Sequence, residues 1–525
     1  MDDLSIGDDD RTGWFIYNGQ TEEELLQYQS TVVRVQIHAK VTEIPRQTFS
    51  QWPHLREVQA SHSSQLETIG ESAFRSCFRL QSVDLRCASQ LNRIERDAWG
   101  YCLGLTEIHF ANERQELLPP MRWEDAIFEG CTALVHIELP PNLQRVGDQV
   151  FCSCESLEHF VIPWAAIPRG TFSGCQSLSH VEFLSQQDLT DIGDEAFVEC
   201  ALTNIDFPPT IQRIGDAAFY LCQHLERISN LSLALTSLGD EAFFGCENLR
   251  EINLQPCTSL TELPRRVFAD CSNLQTVELP TSIGLVSEGA FSGCTSLTSL
   301  QWPKSCTGIP DNCFNGCRGL TKILFQSNSL SRIGQGAFYG CHALKDVKLP
   351  DSVRFIENSA FIACLELPAI LVLPLSLRYL GEAAFADCGG LVAVVLSPRL
   401  HSVGRESFYR CHSLSSVSIA RMPCVLWPKL LMSLSSAEST GGQLHRAGLN
   451  FQTRQSSLFA YLCENIGDLF HGGVAFDAGE HVDKSGIDVA QSPTTESMGE
   501  NSVAPGTARR TTFFKHMYWR NAAAM

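Results

Sequence analysis

The chain has 525 residues and a formal net charge of −20. That acidity argues against sequence-independent nucleic-acid binding and docking on anionic lipid, both of which need a basic face. With 44% hydrophobic and 9% aromatic residues, the composition is that of a folded protein.

The N-terminus, MDDLSIGDDDRTGW, has neither the basic nor the apolar region of a secretory signal. No stretch approaches the roughly 18 consecutive apolar residues of a membrane helix. These features predict a soluble cytoplasmic protein. Residues 1–30 read as an acidic extension, with Trp14, Phe15, Ile16 and Tyr17 covering a sheet edge. At 31–44 the alternation of Val33, Val35 and Ile37 predicts a starting strand.

From residue 49 a phrase recurs. IGDEAF at 192–197 returns as IGDAAF at 214–219 and LGDEAF at 238–243. Aligned on its aromatic residue, the phrase defines sixteen units, from Phe49 to Phe408, spaced 21 to 29 residues apart. Fifteen carry a Cys three residues later, as in Phe74/Cys77, Trp99/Cys102 and Phe219/Cys222; the first has Trp52 there instead. A repeat at this period marks a solenoid, which grows as one body however long it becomes.

The unit CTALVHIELPPNLQRVGDQVF, 131–151, shows the internal logic. Leu134, Ile137 and Leu139 have leucine-rich-repeat spacing, and their alternation predicts a half-buried strand. Pro140 stops the ladder by removing a donor. The Gly of IG shares its column with Pro45, Pro168, Pro264 and Pro310, so a left-handed conformation is not required there. Proline followed by acidic residues suggests a short helical turn on the convex side. The column Cys then faces inward as a small buried hydrophobe. Neighbouring rungs about 4.8 Å apart are near enough for disulfides, but side chains of one column point the same way. Cys152/Cys154 and Cys313/Cys317 each place their second Cys in this column, which argues against a zinc site.

The pattern L-x-x-I-x-L-P, then I-G-x-x-A-F-x-x-C, resembles the BspA-like leucine-rich repeat family over roughly residues 44–420. The resemblance implies a leucine-rich repeat solenoid of the α/β type, right-handed, with a parallel sheet on one side. It implies adhesive or scaffolding use through protein binding, and it brings no catalytic residues and no cofactor. Many members are cell-surface adhesins, so an extracellular setting is the alternative location.

In such a solenoid the outward sheet positions are free of packing. They lie about five and seven residues after each column Cys. On consecutive units they read Glu107/His109, His136/Glu138, His159/Val161, His180/Glu182 and Asn204/Asp206. Three histidines, His136, His159 and His180, are thus expected to stack beside carboxylates. They form a candidate partner, metal or pH-sensing face. Allowing one inserted residue after Cys364, the outward positions become Ile370 and Val372, then Ala393 and Val395, with Leu324 ahead of them. Successive exposed apolar residues mark an interface or a surface covered by another part of the chain.

Beyond the array (31–432), residues 433–454 read as a polar linker. Leu458, Leu462, Ile466 and Leu469 suit a capping helix over 455–472, or a partner-binding amphipathic helix. Residues 473–525 read as a disordered tail ending in the basic and aromatic ARRTTFFKHMYWR, 508–520. No P-loop, G-x-G-x-x-G, H-E-x-x-H or G-x-S-x-G occurs. The sequence therefore predicts a non-enzymatic scaffold for a protein partner. A surface adhesin and a metal-dependent site or enzyme on the His136/His159/His180 face remain as alternatives.

Overall fold

The structure, a computed structural model, describes residues 13–112, 118–184, 189–326 and 328–419. The expected linker, capping helix and tail lie outside these residues.

The chain winds as a parallel β-solenoid of about 17 turns. Most units contribute one strand of three or four residues, such as Glu57–Ala60, Ser82–Leu85 and Glu107–Phe110, and one of two residues, such as Thr68–Ile69 and Arg93–Ile94. All pairs are parallel, and the row of short strands takes in the three-residue Met121–Trp123 and Leu143–Arg145 after Arg93–Ile94. The longer strands run Val35↔Val58↔Val83↔Ile108 in register. Successive side chains of a strand point to opposite faces, so Val58, Val83 and Ile108 are buried while their neighbours face solvent.

The recurring phrase forms the third side, and here the expected helical turn is overturned. In all sixteen units, the residues two before and two after the column aromatic have positive φ, for example Glu195 (59°) and Glu199 (56°). Two left-handed residues per turn break a helix. Alternate N–H groups point along the solenoid axis instead of back along the chain. Gln47, Phe49 and Gln51 donate to the carbonyls of Glu71, Ala73 and Arg75 in the next rung, at 3.0, 2.8 and 2.8 Å. Among the described residues the one helix is Glu22–Leu26, capped by a reciprocal Thr21–Glu24 pair.

The column aromatics stack without interruption from Phe49 to Phe408. Their centroids are 4.9–6.0 Å apart and their planes within 15°. Beside them, every column thiol from Cys77 to Cys411 donates to the carbonyl of the column aromatic one unit earlier, at 2.9–3.3 Å. The thiol is thus more than a small hydrophobe: it gives a buried carbonyl a second partner. Burial pushes the Cys131 and Cys222 thiols up to about 12 and raises the rest of the column from Cys102 to Cys411. Nucleophilic attack needs the thiolate, so these groups are held inert. Among the described cysteines, brief alkylation of the native chain, mapped by peptide mass, is expected to label the partly exposed Cys87 first. Column cysteines are expected to react only after denaturation.

The glycine of IG has a different role from conformational freedom. A Cβ on Gly239 would lie 2.3 Å from the Asp216 nitrogen and the Gly215 carbonyl carbon. Glycine here lets successive rungs close up. Ring spacing is 5.2 and 5.3 Å at the steps led by Gly215 and Gly239, then 5.7, 5.9 and 5.7 Å where Pro264, Ser287 and Pro310 fill the column. It returns to 5.3 Å at Gly334. The relation is not strict, since the Glu357 step is 5.0 Å and the Gly404 step 5.8 Å. Gly239→Val is expected to cost about 3 kcal/mol by forcing the rungs apart. Gly389→Ala, where a Cβ meets nothing within 4 Å, is expected to stay within about 0.5 kcal/mol of the parent. Urea denaturation of both variants measures the contrast.

At the N-terminal end, Phe15–Tyr17 covers the sheet edge as a further strand, pairing in parallel with Arg34–Ile37. Tyr17 packs edge-on against Phe49 at 5.1 Å. Trp52, standing in the thiol column, closes the end against Phe49 and Phe15 at 4.9 and 6.4 Å.

Candidate partner-binding face

The outward positions of the longer strands fall into distinct stretches. Charges neutralise one another across rungs, Arg34 with Glu57 at 3.1 Å on the strands themselves and, in the segments leading into strands, Arg250 with Glu226 at 3.5 Å and Lys345 with Glu366 at 2.8 Å. Exposed pairs of this kind contribute little stability and leave no net charge for a partner to read.

The histidine stretch differs. His159 and His180 begin the paired strands His159–Ile162 and His180–Phe183 and are direct register partners. Both are exposed, and their rings meet edge to face with centroids 6.2 Å apart. His136 does not complete the expected ladder. Residues 134–139 form no strand, so His136 and Glu138 are exposed but outside the register. Glu182 is exposed opposite Val161. Glu107 is exposed on its own strand, 3.7 Å from the His109 imidazole. Among the described residues, no group of three or more His, Cys, Asp or Glu is placed to hold a metal ion.

The apolar stretch lies near the C-terminal end of the described array. Ile370 pairs with Ala393 and Val372 with Val395, so the register across the insertion after Cys364 matches the sequence reading. Ile370 and Val372 are 64% and 63% exposed; Ala393 and Val395 are half-buried. On the far side Ala393 and Val395 face Ser416 and Ser418, so the patch ends there. Leu324 is exposed but does not join it. Lys322 pairs with Asp346, and the intervening rung presents Asp346 and Lys348, which approach each other at 3.9 Å. Sequence reasoning missed the exposed Leu375 and Val392, which flank these strands in chain order. They lie outside the strands, and strand alternation carries no signal for them.

No helix among the described residues is long and apolar enough to cross a membrane. No curated protein matches the chain. Among solved structures the chain is similar to a leucine-rich repeat protein from Bacteroides ovatus, at 24% identity over 76% of this chain and 92% of that one, with a TM-score of 0.48. A leucine-rich repeat protein from Eubacterium ventriosum matches at 19% identity over 71% and 90%, TM-score 0.35. A leucine rich cell surface protein from Faecalibacterium prausnitzii matches at 20% over 81% and 93%, TM-score 0.33. The model of the BspA type leucine-rich repeat region matches residues 22–118, 122–226, 226–331 and 307–423, nearly the whole described array. With its stacked aromatics, thiol column and paired parallel strands, the chain belongs to the BspA type leucine-rich repeat family.

Proposed function

We propose that the protein is a non-enzymatic scaffold that binds a protein partner through the outward sheet face around Ile370, Val372, Ala393 and Val395. The observation that carries this reading is the exposure of Ile370 and Val372 on strands whose inward residues already fill the core. Exposed β-branched side chains on neighbouring rungs give a partner apolar area to bury, at about 25 cal/mol per Å². The rigid strands below hold that area ready, which lowers the ordering cost of association.

The cytoplasm suits this reading better than the extracellular space. A reducing compartment keeps cysteines unpaired, and all those among the described residues are free.

Affinity capture from native lysate tests the proposal, with Ile370→Asp/Val395→Asp run beside His136→Ala/His159→Ala/His180→Ala. All these side chains are exposed or half-buried, so both variants are expected to fold like the parent. A partner lost only with the aspartate pair supports the apolar face. Equal recovery by all three proteins would remove it.

A further inference from the structure

We propose that His159 and His180 form a two-imidazole anchor for a borderline divalent cation, of the Cu(II), Ni(II) or Zn(II) class. The two histidines are register partners on adjacent parallel strands, and their rings already touch, at 6.2 Å between centroids. Both rings are exposed, and among the described residues neither is engaged in a hydrogen bond or an ion pair. Binding a cation therefore displaces no hydrogen bond or ion pair, only the edge-to-face contact between the rings. Exposed side chains reorient on the picosecond to nanosecond scale, so the rings swing readily from edge-to-face contact to a shared ion.

The donor set selects the ion. Neutral imidazole suits Zn, Cu and Ni, whereas Ca and Mg prefer oxygen. The site offers two protein ligands, and among the described residues no third His, Cys, Asp or Glu is placed to join them. The remaining coordination positions are open to water or to a donor carried by a partner. The net charge of −20 raises the local concentration of cations around the chain. Holding the second imidazole on the neighbouring strand makes its binding intramolecular, which strengthens the pair roughly 10²-fold over a single histidine. The site is independent of the apolar face, because it uses other residues and is assayed without a partner.

The test is calorimetric titration of the full-length, chelator-stripped protein with Ni(II) alone at about pH 7.5, and Cu(II) electron paramagnetic resonance on the same samples. One equivalent is expected to bind, with a copper spectrum split by two imidazole nitrogens. His159→Ala and His180→Ala are each expected to weaken that equivalent by roughly 10²-fold, while His136→Ala leaves it unchanged. Equal titrations for the parent and the His159→Ala/His180→Ala double variant would overturn the assignment. So would loss of the equivalent in His136→Ala alone.

Discussion

Raising the pH from about 8 to about 10 is expected to unfold the array at 25 °C, because its buried thiol column cannot ionise in place. An ordinary thiol titrates near 9.0, but burial holds Cys131 and Cys222 at about 12 and raises their neighbours in the column. Above the ordinary value the unfolded chain releases these protons and the native chain keeps them. The unfolded state then binds fewer protons, so stability falls as pH rises. Below the ordinary value both states are protonated and the thiols contribute fully. Each buried thiol adds a slope of about 1.4 kcal/mol per pH unit. A domain stability of about 5–15 kcal/mol is small against several such slopes acting together. Tyr101, raised to about 12 by burial and its hydrogen bond to Glu129, acts with the same sign. Urea midpoints by circular dichroism, in reductant, are expected to be level up to about pH 8 and to collapse beyond it. A level profile through pH 10 would show that the column does not govern stability. Replacing Cys246, Cys271, Cys294 and Cys317 by alanine is expected to lower stability at neutral pH, by removing buried volume and a donor. The same change is expected to flatten the alkaline fall.

Phe219→Ala is the second large effect, at about 3–5 kcal/mol. The ring is fully buried between Phe197 and Phe243, at 5.2 and 5.3 Å, with Phe207 edge-on at 5.9 Å. No larger side chain stands in the column there to fill the void. A solenoid is held by nearest-neighbour interfaces, so weakening a central one uncouples the two halves. The expected denaturation curve has two steps where the parent has one. Phe408→Ala is the comparison. Among the described residues Phe408 stacks in the column on Phe385 alone, at 5.8 Å, and its loss is expected to cost less and to leave a single transition. Equal costs at the two positions would mean that the stack is not what couples the rungs.

Much of this protein was legible before folding was considered. The unit length, the aromatic column and the inward positions are written sixteen times in the sequence and the thiol column fifteen, and each copy corrects the reading of the others. Even the register across the insertion after Cys364 followed from alternation, because a one-residue slip would have buried Ile370 and Val372. What the sequence could not supply lies between rungs. The left-handed residues flanking each aromatic exist because their N–H groups bond the next turn, not their own. The thiols were recognisable as buried, but the carbonyls they serve belong to the preceding unit. The IG glycine is small because a neighbouring backbone passes 2.3 to 2.8 Å from where a Cβ would stand at Gly70, Gly193, Gly215 and Gly239. The candidate faces followed the same division. Outward positions were found from spacing, whereas the loss of the strand at His136 and the charged rung isolating Leu324 appeared only with the fold. Sequence periodicity specifies which way a side chain points. Contact with residues some 24 positions away decides what it meets, and that information exists only once the turns are stacked.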